Sequence, residues 1–188
     1  MSNPHRGKTG NATYFITSGT YQKKSIFQSE RMAQLLVEVL LHYRDQGKFL
    51  LHEFVIMPDH FHALLTPGDS VTLEKAIQLI KGGFSFRAKK QFGGNLEIWQ
   101  TSFHDRRVRD AQEFREFRSY IHQNPVKRGL AQAAEDYPYG SASGSFQLDV
   151  IPQRLKPHHS SVRNAGLKPC ATQNPRIPVN TAKLHDSS

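Results

Sequence analysis

From residue 12 onward, apolar residues recur with two different periods, and each change of period marks an element. Residues 12–21, "ATYFITSGTY", mix aromatic and β-branched residues and read as a strand. After Ser29, a candidate cap, Met32, Leu35, Leu36, Val39, Leu40 and Tyr43 fall at helical spacing, and Gly47 closes that helix. "KFLLHEFVIM" (48–57) is a second strand, Pro58-Asp59 a turn, and "HFHALLT" (60–66) an alternating third strand, so the two strands form a hairpin. Thr72 could cap the next helix, with Leu73, Ala76, Ile77 and Ile80 as its apolar stripe. Gly82-Gly83 is expected to kink or end that stripe before "FSFRAKKQF" resumes it. "LEIWQTSF" (96–103) reads as a fourth strand. Asp110 with Glu113 three residues on resembles a capping box. Phe114, Phe117 and Ile121 then form one stripe, and Pro125 is expected to stop the helix.

The order β-α-β-β-α-β-α predicts an α+β protein. Its expected form is a ferredoxin-like, split βαβ antiparallel sheet with helices packed on it and an added C-terminal helix. Three regions are expected: a flexible N-terminus (1–11), one domain (12–145) and a basic Pro/Ser-rich disordered tail (146–188). Five of the ten prolines lie beyond Val150. Hydrophobic content of 37% is enough for a core. The greasiest run, "LLVEVLL" (35–41), is short and broken by Glu38, so no membrane span is expected. The N-terminus has no apolar stretch of the signal-peptide kind, and Cys170 has no internal partner, which together suggest a reduced, cytoplasmic setting. Net charge is +9, which favours a polyanionic partner. Residues 151–188 hold six Lys/Arg and one acid, so +5 of that charge sits in the tail and the domain is only mildly basic.

Within the third strand, residues i and i+2 share a face, so His60 and His62 project side by side while Phe61, Ala63 and Leu65 turn to the core. Two imidazoles held this way can share a cation, or each can satisfy itself with an ordinary hydrogen bond. A metal would need a third ligand; His52, Glu53, Asp59, His104, Asp105, His122 and Asn124 are candidates, and spacing does not choose among them. On the last helix Tyr120 and Asn124 are four apart and lie one above the other. An activated tyrosine can be a covalent nucleophile, and an amide oxygen can complete a metal's shell. Equally, Tyr120 could be an interfacial core residue, and Asn124-Pro125 could start a further short helix that Gly129 ends.

"HFH" after "VIMPD", followed by "WQTSFHDRRVRD" and "SYIHQNPVKRGL", resembles the REP-associated tyrosine transposases, a branch of the single-tyrosine HUH (His-hydrophobe-His) transposases. "TSGTYQKKSIF" and "EDYPYGSA" extend the likeness from about Ala12 to Ala142. The resemblance implies a metal-dependent single-strand DNA endonuclease and strand-transferase acting at REP-type palindromic hairpins. By matching motif, Tyr120 would be the nucleophile, leaving a 5′-phosphotyrosine and a 3′-OH. His60, His62 and Asn124 would hold Mg²⁺ or Mn²⁺. It also implies a nucleoid-associated protein that could form a homodimer. Candidate DNA contacts are Lys81, Arg87, Lys89 and Lys90 on the second helix, and Arg106, Arg107 and Arg109 after the fourth strand. Tyr14, Phe15 and Tyr21 could stack on bases, although a core role suits them as well. Two rival readings stand beside this one. The first is a domesticated hairpin-binding protein that no longer cuts. The second is a metallonuclease using activated water, with His104 or Asp105 completing the site.

Overall fold

A computed structural model describes residues 12–94, 97–152 and 155. The chain divides into two units, Met1–Pro157 and His158–Ser188, and every described residue lies in the first. The expected flexible segment 1–11, Cys170 and the tail from residue 156 lie outside the described residues. The elements run β1 (Tyr14–Gly19), α1 (Glu30–Asp45), β2 (Phe49–Met57), β3 (His60–Pro67), α2 (Leu73–Phe92), β4 (His104–Arg107) and α3 (Ala111–Lys127), with short 3₁₀ turns between them. The four strands form one antiparallel sheet in the order β2-β3-β1-β4, the ferredoxin-like arrangement the element order predicts. Among the described residues no helix is long and apolar enough to cross a membrane.

The two sheet faces are covered by different helices. Ile16, Phe54, Ile56, Phe61, Ala63 and Leu65 meet Leu36, Leu40, Ile77, Ile80 and Phe84 of α1 and α2 in the larger core. Val55, Met57 and Leu64 point the other way and meet Phe114 and Ile121 of α3. Both faces of β2 and β3 are therefore buried, which is why these strands read as near-continuous apolar runs. A register shift between Leu51 and Glu53 marks a bulge at His52. As a result Glu53 bonds to α3, and His52 packs against Phe114 of the same helix.

Four sequence expectations are corrected. The fourth strand is not 96–103 but His104–Arg107. Ile98 and Trp99 instead pack irregularly on the larger core, with Trp99 Nε1 donating to the Lys81 carbonyl at 3.0 Å. The polar segment pairs with β1 because an edge strand needs backbone groups more than apolar side chains. Gly82-Gly83 neither kinks nor ends α2, which runs unbroken to Phe92. Gly83 is there for closeness: a Cβ would stand 2.6 Å from the Tyr43 ring of α1. Pro125 does not stop α3 and Asn124 caps no new helix; the helix continues to Lys127. So near the end the proline forfeits only the bond to the Ile121 carbonyl. The closing turn is a Schellman motif, Leu130 N–H to the Pro125 carbonyl at 2.9 Å and Gly129 N–H to the Val126 carbonyl at 3.0 Å, with Gly129 at φ +67°. Finally, the domain does not stop at residue 145. Phe146 and Leu148 pack on the larger core, and Asp149 accepts from Arg44 and from the Leu51 N–H.

Candidate metal and nucleophile site

β3 lifts His60 and His62 onto the α3 face of the sheet. The turn before them is held firmly: the Asp59 carbonyl accepts from the Thr20 N–H and hydroxyl, both at 2.9 Å, and the Pro58 carbonyl accepts from the Phe27 N–H at 2.9 Å. His60 Nδ1 donates to Asp59 Oδ1 at 2.6 Å. Thr17 lies directly across from His62 on β1, and its Oγ1 is 2.8 Å from His62 Nδ1. With both Nδ1 atoms occupied, the Nε2 atoms face each other at 3.1 Å. Two ligands about 2.1 Å from one ion and about 90–100° apart are separated by about 3.0–3.2 Å, so the pair fits a shared cation. Burial, aided by the nearby His60 charge, pushes His62 down to about 3. Its imidazole is therefore neutral near pH 7, as a ligand must be. Asp59 is held below its usual value: burial raises it, but the His60 bond and the His60 and Arg128 charges outweigh that.

Among the described residues, no group of three or more His, Cys, Asp or Glu side chains could hold a metal. The earlier candidates have other positions. Asp59 serves His60, and His52 is engaged by Thr66 and the Asp149 carbonyl. Glu53 and His122 bond to one another. His104 and Asp105 belong to β4, beyond β1, with His104 opposite Thr17. Asn124 has a different setting. It is 7% exposed and sits on α3 one turn beyond Tyr120. A side-chain amide oxygen is chemically able to ligate a hard cation.

Tyr120 is brought to the pair. Its ring meets that of His62 edge-on, with centroids 5.2 Å apart, while 44% of the residue stays exposed. Phe15 stacks between His62 (5.3 Å) and Phe117 (4.4 Å) and also touches the Tyr120 edge. Lys127, two turns on from Tyr120, holds its ammonium 5.8 Å from the Tyr120 ring centre. Tyr120, Asn124 and Lys127 thus follow one line along the last helix, and Tyr120 meets the histidine pair.

The basic residues divide between the two faces. Lys81, Arg87, Lys89 and Lys90 belong to α2, which covers the face opposite the histidines. Lys81 is committed to the Gln100 carbonyl and the Trp99 ring. Arg106 and Arg109 pair with Glu113 at 2.6 and 3.3 Å, and Arg107 is exposed on β4. Tyr14 is buried in the larger core, while Tyr21 lies under Lys24. Sequence reasoning missed Thr17 as a histidine partner. Its only signal was a strand register that no local pattern encodes.

The IS200-like transposase family model matches residues 8–124. The chain is 26% identical over 170 residues to a Haemophilus influenzae protein provisionally named a REP-associated tyrosine transposase, covering 81% of this chain and 92% of that one. It is 26% identical over 162 residues to the REP-associated tyrosine transposase of Escherichia coli K12, covering 79% and 90%. A solved structure of a REP-associated tyrosine transposase bound to a REP hairpin matches with a TM-score of 0.63 at 22% identity, over 84% of this chain and 96% of that one, a likeness of fold.

Proposed function

From the premise that this chain belongs to the IS200-like transposase family, we propose that it cleaves and rejoins single-stranded DNA at palindromic hairpins of the REP type, with Tyr120 as nucleophile. The observation that carries this reading is the contact of the Tyr120 ring with His62, the partner of His60 across 3.1 Å. The relatives' names and the hairpin in the solved relative support the choice of DNA.

In the proposed step the Tyr120 phenol loses its proton and its Oη attacks the scissile phosphorus. The bond from phosphorus to the 3′ oxygen breaks, and that oxygen takes a proton to become a 3′-OH. The 5′ phosphate remains on Tyr120. Rejoining is the reverse attack by a 3′-OH, so the phosphodiester energy is kept and no nucleotide triphosphate is needed. His60, His62 and Asn124 would hold Mg²⁺ or Mn²⁺, which would neutralise charge on the non-bridging phosphate oxygens. Asp59 and Thr17 keep the two imidazoles oriented for that role. Lys127 adds positive charge beside the phenol. Because Tyr120 packs on His62 of its own chain, the reading needs only one protomer per site. Arg106, which pairs with Phe15 and lies over the Phe117 ring, and Arg109, which reaches Glu113 of α3, are on the Tyr120 side and suit phosphate contacts better than the α2 lysines do.

The test is an adduct assay on hairpin-bearing single-stranded DNA with Mg²⁺ or Mn²⁺. Wild type should form a covalent protein–DNA band; Tyr120→Phe should lose it while binding the hairpin with unchanged affinity. Cleavage by Tyr120→Phe would point to activated water instead. Hairpin binding by wild type without cleavage at any metal level would point to a binding module.

A further inference from the structure

The helix that carries Tyr120 is gripped from its other side. Phe114, Phe117 and Ile121 make the floor of α3 on the sheet. Tyr120 lies on the flank above β1 and β3, against Phe15 and His62. Arg118 and His122 lie on the opposite flank, above β2, two residues to either side of Tyr120. Both reach one carboxylate. Arg118 Nε is 2.9 Å from Glu53 Oε1, and His122 Nε2 is 2.8 Å from Glu53 Oε2. Ser141 Oγ donates to Glu53 Oε2 at 2.6 Å and accepts from the Phe54 N–H at 3.1 Å. Glu53 is 8% exposed. Burial raises its carboxyl, but the bonds from His122 and Ser141 and the Arg118 charge bring it below its usual value, so it is ionised.

We propose that Glu53 is a positioning residue for the nucleophile: its network with Arg118, His122 and Ser141 fixes the rotation of α3 about its own axis, and so the distance of the Tyr120 hydroxyl from His60 and His62. This rests on the reading of Tyr120 given above. The apolar floor alone does not fix rotation, because burial of apolar surface has little directionality. Charge-assisted hydrogen bonds have a preferred direction. The Tyr120 hydroxyl extends about 8–9 Å from the helix axis, so a rotation of about 10° moves it by about 1.5 Å. Misplacement on the order of 1 Å can cost about 100-fold in rate.

The test compares wild type with Glu53→Gln, and with Arg118→Gln, whose half-exposed site leaves folding safe. Three quantities are read: hairpin affinity, the adduct rate at saturating DNA and Mg²⁺, and the ¹⁹F shift of 3-fluorotyrosine placed at 120. Glu53→Gln should keep affinity within about threefold, slow the adduct by about 30- to 100-fold, and move the ¹⁹F signal. Arg118→Gln should do the same to a smaller degree, Arg118→Lys less still, and the double variant should be no slower than Glu53→Gln alone. An unchanged adduct rate and ¹⁹F signal in folded variants would overturn the proposal. So would a loss of rate that only tracks a loss of affinity and melting temperature. If wild type itself forms no adduct, the nucleophile reading fails, and the ¹⁹F comparison still decides whether Glu53 sets the place of Tyr120.

Discussion

His60 and His62 are useful as ligands because each imidazole already has its other nitrogen occupied. Asp59 holds one and Thr17 the other, which leaves two Nε2 atoms 3.1 Å apart. Thr17→Val keeps the shape of that side chain and removes the oxygen. It should lower Mn²⁺ affinity about 10- to 100-fold, by calorimetric titration, with little change in melting temperature. Unchanged affinity would show that Thr17 does not orient His62. At this scale the histidine pair was legible, since alternation alone puts i and i+2 on one face. Its supports were only half legible. Asp59 is the neighbouring residue, but Thr17 is 45 positions away and announces nothing.

The elements explain why neighbouring glycines in α2 are not equivalent. Gly82 has nothing near where a Cβ would be, whereas a Cβ at Gly83 would collide with the Tyr43 ring of α1. Gly82→Ala should therefore stabilise the protein by about 0.5–1 kcal/mol through helix propensity. Gly83→Ala should destabilise it by about 1–2 kcal/mol as the two helices are forced apart. Urea unfolding of both variants checks the pair, and shifts of equal sign would refute the close-approach argument. Local rules went astray here in a consistent way. They read Gly82-Gly83 and Pro125 as breaks, yet the α2 stripe stays buried on to Phe84 and Ala88, and Pro125, itself buried, lies two residues before the end of α3. Tertiary burial outweighs the loss of one backbone bond or some helix propensity.

For the whole molecule, the buried imidazoles set the response to acid. Burial lowers the values of both His52 and His62. The unfolded chain takes up their protons near pH 6.5, while folded His62 resists until about 3. Stability is thus fully present above about pH 6.5 and falls as pH drops below it, by about 1.4 kcal/mol per pH unit for each such histidine. The carboxylates add to this later. Glu53 and Asp149 are lowered in the fold, so their contribution is lost only as pH falls below the ordinary carboxylate range. Metal-free protein should show a lower urea midpoint at pH 5 than at pH 7; equal midpoints would refute the buried-neutral assignment. The sequence by itself determined the order of elements, the shared face of His60 and His62, and the stacking of Asn124 on Tyr120, because each follows from the repeat of a single helix or strand. The tertiary structure alone decided that α3 covers the histidine face, that a polar edge segment is the fourth strand, and that Glu53 meets Arg118 and His122. Those outcomes depend on which surfaces bury one another across long separations, and no local period encodes that choice.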